Sequence, residues 1–151
     1  MFIQVITLIG IVILGSFISI GARRADLQGI ELWLPFGLLI SYAYSPLWGF
    51  LIAFLMLLIS WIVFPYGVQY LALTSAFLIP TFAITNFFPI SEASFFSTIM
   101  GIVVAYNIIS NVAYVLFGAN IVRIIKFAVF SVAFNWIIMY YFGWTFIQWL
   151  A

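Results

Sequence analysis

The sequence contains no cysteine and no histidine, and of its 151 residues only three are acidic and four basic. The first two absences exclude disulfides, thiol redox chemistry, histidine-ligated haem and the common zinc sites. The scarcity of charge excludes more. Charged residues make up 5% of the chain, against roughly 25% in soluble domains, and so few ionic side chains cannot clothe a water-exposed surface of this size. A net charge of +1 leaves no electrostatic footprint for nucleic acid. What is present instead is apolar: 68% hydrophobic residues, 21% aromatic, and a mean hydropathy of +1.37. This composition predicts an all-α, polytopic integral membrane helical bundle, a single transmembrane domain over residues 1–151.

Residues 30–64 organise the count of spans. As one helix this run would be roughly 52 Å long, against about 30 Å of bilayer hydrocarbon. It must fold back. Tyr44, Ser45 and Pro46 are the expected bend, because proline supplies no backbone donor and disfavours helix in the residue before it. Six spans follow: residues 2–20, 30–44, 47–64, 68–88, 95–117 and 127–142, the last continuing to Trp149. The first reads as a retained helix rather than a signal peptide, since no lysine or arginine precedes its long apolar run. Gly21 is its expected stop, with Arg23 and Arg24 complementing the helix dipole. The second span is short for a bilayer, and a re-entrant segment is the competing reading. The third ends in a turn at Pro65, Tyr66 and Gly67. In the fourth, Pro80 frees one backbone carbonyl, and Thr81 and Thr85 are placed to satisfy freed groups. Ser91 or Ser94 should N-cap the fifth. Gly118, Ala119 and Asn120 interrupt the chain after it, and residues 121–126 read as an amphipathic link to the sixth.

The segment 22–31 holds Arg23, Arg24, Asp26, Gln28 and Glu31 and is expected as a loop outside the hydrocarbon. Six crossings put this basic loop and the one holding Arg123 and Lys126 on the same side, whereas five would separate them. The positive-inside rule therefore predicts a cell-membrane protein with both basic loops cytoplasmic, both termini outside, and Glu92 external. Trp33, Trp61, Tyr66 and Tyr70 are expected near one interface, and Tyr42, Tyr44, Trp48, Tyr140, Tyr141 and Trp144 near the other. Arg23, Arg24, Arg123 and Lys126 are the candidate contacts for partner subunits or lipid headgroups.

No charged side chain falls well inside a predicted span, which argues against proton relays, voltage sensing and cation pathways. Asp26 and Glu31 are separated from Glu92 across the bilayer, so a carboxylate pair for acid–base catalysis is hard to assemble. The sequence therefore predicts no enzyme, no metal and no cofactor. The interior polar groups are neutral. Asn107, Ser110, Asn111 and Tyr114 stand at i, i+3, i+4 and i+7 on one face of the fifth span, beside a row of Thr74, Thr81 and Thr85 on the fourth and Ser131 and Asn135 on the sixth. The plain reading is interhelical hydrogen bonding. The sharper one is a pocket for a small neutral ligand, lined by Asn107, Asn111, Tyr114, Asn135 and Thr81, with Tyr106 or Trp136 as an aromatic wall. Small residues four apart, Gly15 with Ser19, Gly49 with Ala53 and Gly101 with Ala105, permit close helix packing, within the chain or against another subunit.

Asp26, an apolar run, then Ser45-Pro46-Leu47-Trp48-Gly49-Phe50 opening the next helix resembles the pattern in two families of small six-span proteins. These are the substrate-binding S components of energy-coupling-factor uptake transporters and the MreD rod-shape-determining family. The likeness covers residues 26–78 and implies a six-helix architecture. S components have cytoplasmic termini where the arginines here predict external ones, and the acidic position of the third span in MreD-like chains is filled here by Leu or Ser. Two functions are therefore expected. The first is a non-catalytic accessory subunit packed against other integral membrane proteins and lipid, and the alternative is an S-component-like protein that binds a small neutral solute for uptake.

Overall fold

The computed structural model describes residues 2–27, 29–65 and 67–150. It is all-helical, with no strand among the described residues. The helices are α1 (Phe2–Arg24), α2 (Trp33–Ala43), α3 (Pro46–Val63), α4 (Val68–Ala83), α5 (Glu92–Leu116), α6 (Ile121–Ile138) and α7 (Trp144–Leu150). A 3₁₀ turn, Ile84–Asn86, extends α4, and a π-helical turn, Met139–Gly143, joins α6 to α7. Five helical units are long and apolar enough to cross a membrane: α1, α3, α4 with its 3₁₀ turn, α5, and the continuous rod Ile121–Leu150. Gln28 and Tyr66, placed by the sequence in the first loop and the third, lie outside the described residues.

Short α2 is the core of the bundle. Leu34, Leu38, Leu39, Ile40 and Ser41 are all buried, and it packs against α3, α4 and α7. The bend into α3 forms at the expected residues, with Pro46 at the first helical position and the Ser45 hydroxyl accepting from Trp48 N at 3.5 Å. The two helices touch backbone to backbone. A Cβ on Gly49 would stand 2.5 Å from Gly37 O, and one on Gly37 would meet Ala53 and the Phe82 ring. Only glycine admits that approach.

Several boundaries differ from the sequence reading. Gly21 does not stop α1, which runs on to Arg24. The stop is a Schellman motif, Leu27 N to Ala22 O and Asp26 N to Arg23 O, with Asp26 in the left-handed position at φ 57°. Aspartate tolerates that conformation. Gly118 does the same after α5 at φ 89°, with Ala119 N on Tyr114 O and Gly118 N on Val115 O. Residues 121–126 are no separate link, because Asn120 Oδ1 caps Val122 N and Arg123 N and starts α6 at once. Ser91 and Ser94 together form the capping box of α5. Pro80 lies inside α4, but Thr81 donates to Phe77 O and Thr85 to Phe82 O, so neither serves the carbonyl of Ala76 that proline frees.

Candidate functional site

Residues 25–32 pack against the helices rather than standing clear of them. Gly29, at φ +93°, presses onto α6: a Cβ there would stand 2.5 Å from Phe127 O and 2.9 Å from Ser131 N. Ser131 is ten residues past the start of α6, so the segment reaches roughly 15 Å below that helix end. Leu32 N meets Ser19 Oγ at 3.4 Å on the other flank.

This descent carries Glu31 inward. Arg23, in the last turn of α1, donates through Nε at 3.0 Å and Nη2 at 2.6 Å to Glu31 Oε1, and Trp33 Nε1 donates to Oε2. The pair keeps only 13% and 11% of its side-chain surface accessible. A mostly buried ion pair is thus present, which the sequence reading did not anticipate. Trp33 also faces the interior of the bundle. It is buried, edge-on to Tyr106 at 5.6 Å.

Beside the pair opens a funnel of about 340 Å³. Arg23, Glu31 and Trp33 come from the 25–32 segment and its flanks, Tyr70 and Thr74 from α4, Tyr114 from α5, Gly118, Ala119 and Asn120 from the α5–α6 turn, and Arg123 from α6, with Leu57 of α3 and Ile124 and Phe127 of α6 as apolar wall. Thr74 hydrogen-bonds Tyr114 Oη and donates to Tyr70 O at 2.7 Å, while the Tyr70 and Tyr114 rings stand 5.8 Å apart. Thr74 and Leu57 each sit six residues from their helix ends, roughly 9 Å down. Asp26 and Gly67 extend the rim around Arg123. Both basic segments of the sequence therefore stand at one end of the bundle, with Glu92 at the other.

Of the five residues expected to line a pocket, only Tyr114 reaches this funnel. Thr81 lines an apolar groove between α4 and α5 with Pro80, Ala105 and Tyr106. Asn107, Asn111 and Asn135 are buried and line neither. The polar face of α5 mostly bonds to its own helix: Asn107 Nδ2 donates to Val103 O and Ser110 Oγ to Tyr106 O, as Asn135 Nδ2 does to Ser131 O on α6. A donor in an apolar interior takes the nearest carbonyl, which is four residues back. Asn107 Oδ1, Asn135 Oδ1 and both polar atoms of Asn111 have no partner among the described residues. Trp136 is exposed and stacks on Tyr140 at 5.1 Å, so it walls no interior pocket. Among the described residues no three acidic groups stand close enough to hold a metal ion.

The sequence reasoning missed Glu31, Trp33, Tyr70 and Thr74 as one set. The available signal was Gly29 two residues before Glu31, a glycine in a polar stretch that needed no flexibility unless the backbone came close to something. Compared with family models, curated proteins and solved structures, the chain matches none.

Proposed function

We propose that the chain is a membrane-embedded solute-binding component. One observation carries this reading: the funnel combines a ligand-sized volume with a sunken ion pair, a buried Thr74–Tyr114 hydrogen bond and aromatic walls. Apolar cavities with a few convergent polar groups are the usual form of small-molecule sites. The solute is small and amphipathic, with a flat apolar part between Trp33, Tyr70 and Phe127 and a polar part toward Arg23, Glu31 and Arg123. The role is non-catalytic. It agrees with the S-component resemblance, while moving the site from the asparagines of α5 to the end of the bundle where three loops meet.

The reading includes six crossings, with α2 as the short second one. It starts beside Arg23 and ends where Tyr42 Oη donates to Phe88 O and Tyr44 Oη to Leu150 O, both at 3.0 Å, so it connects opposite ends of the bundle. With the basic end cytoplasmic by the positive-inside rule, the funnel opens inward, the side to which an uptake component releases its cargo.

Thermal-shift screening of the purified chain against small solutes tests this. A true ligand at 100 times its dissociation constant stabilises by about 2.7 kcal/mol. Thr74→Val and Tyr114→Phe should remove that gain, and Asn107→Leu should leave it. A ligand lost with Asn107→Leu but kept with Tyr114→Phe would return the site to the α5 face.

The accessory-subunit reading has its own support. Of the three small-residue pairs, two are used within the chain: Gly15 packs on Met56 with Ser19 buried, and Gly49 on Gly37 with Ala53 buried. Gly101 has nothing within 4 Å of its Cβ position, and Ala105 beside it is exposed, a face open to a partner helix. Gly101→Ile would disrupt such a complex while sparing the monomer.

A further inference from the structure

We infer that the groove between α1 and α3 holds one chain of an anionic phospholipid, with Arg24 as the headgroup site. Ile13, Phe17 and Ile20 wall it from α1, and Ile59 and Val63 from α3, around about 200 Å³. Two features separate it from an ordinary lipid-facing surface. Ser16 lines it, 1% exposed, and its Oγ has no hydrogen-bond partner among the described residues. Arg24 stands at its upper end, and unlike Arg23 it makes no ion pair among the described residues.

The geometry selects the occupant. From Ile13 to Arg24 is eleven residues of α1, roughly 16 Å along the axis. An extended acyl chain runs that distance, and about 200 Å³ is several times less than a helix about 10 Å across would fill over it. Phe17 and Ile13 at the rim, 69% and 48% exposed, bar the close backbone approach a partner helix needs. Guanidinium recognises phosphate oxygens in a two-pronged fashion, and its stem lies along apolar surface while the head reaches the interface. The charge balance of this end reinforces the choice: Arg23, Arg24, Arg123 and Lys126 face only Asp26 and Glu31.

Native mass spectrometry of the whole chain, released from micelles doped equally with phosphatidylglycerol and phosphatidylcholine, tests the assignment. One phosphatidylglycerol per chain should be retained in preference to phosphatidylcholine by about fivefold, the factor one basic residue contributes at an anionic surface. Arg24→Gln should bring the ratio to about one, and Val63→Trp, which fills the slot from its exposed rim, should remove both lipids without lowering the Tm. Lys126→Gln, at the same end but outside the groove, should keep the preference. An equal loss with Lys126→Gln would show general surface charge and overturn the site. So would unchanged lipid retention in Val63→Trp, or a second copy of the chain retained in place of lipid.

Discussion

The two ends of the bundle are closed by different chemistry. At the end where α2 turns into α3, phenols and hydroxyls meet neutral partners: Tyr42 on Phe88 O, Tyr44 on Leu150 O, and Ser41 Oγ with Thr85 Oγ1 at 2.7 Å. These bonds tie α2 to the end of α4 and to α7 without any charged partner, and the charge of this end, Glu92, is exposed at the start of α5. At the other end the Arg23–Glu31 pair is drawn into the helices and a funnel stands beside it. An ion pair at that depth is poor value for stability, because desolvation offsets most of its attraction. Its presence there, beside a cavity, is the observation on which the proposed binding site rests.

That contrast can be broken in order of effect. Gly29→Ala should be the most severe, costing roughly 3 kcal/mol, because it adds left-handed strain to a clash with Phe127 O. Thermal unfolding in detergent measures it, and an unchanged Tm would mean that residues 25–32 do not lie against α6. Glu31→Gln comes next. It leaves the Arg23 guanidinium sunken without its carboxylate and should cost about 2 kcal/mol, less than a fully buried pair would. The double variant Arg23→Leu with Glu31→Leu should recover to within about 1 kcal/mol of wild type while losing solute binding, which separates the pair's role in the site from any role in the fold. At the neutral end, Tyr44→Phe should cost about 1 kcal/mol and leave solute binding intact. Smallest in stability is Tyr114→Phe, since Thr74 keeps its bond to Tyr70 O. Unfolding should shift by less than about 1 kcal/mol, with the effect confined to ligand-induced stabilisation.

The helices were legible in the sequence and the depth of the first loop was not. Hydropathy and proline placed α3 within a residue of its observed start, and the serines before α5 announced its cap, because those signals are local. Asp26 at a left-handed stop in place of Gly21 was invisible, since Gly21 offered the commoner cap chemistry one turn earlier. Glu31 was misplaced for a physical reason of another kind. A carboxylate reads as interfacial unless its counter-ion and indole donor are known to be waiting, and Arg23 and Trp33 gain that meaning only once Gly29 has brought the backbone down onto α6. The polar row on α5 was seen correctly as an interior face, yet Asn107 and Ser110 closed onto their own helix and only Tyr114 bonds across to α4, a division that periodicity cannot show.

The absence of natural cysteine makes the most direct test clean, since a single introduced thiol has no background. Thr74→Cys, roughly 9 Å down the funnel, and Ser41→Cys, at the neutral base, should be exposed in turn to a small cationic thiol reagent in folded protein. The account predicts rapid modification at position 74, slowed by a bound solute, and none at position 41 without unfolding. Equal protection of the two thiols would contradict it.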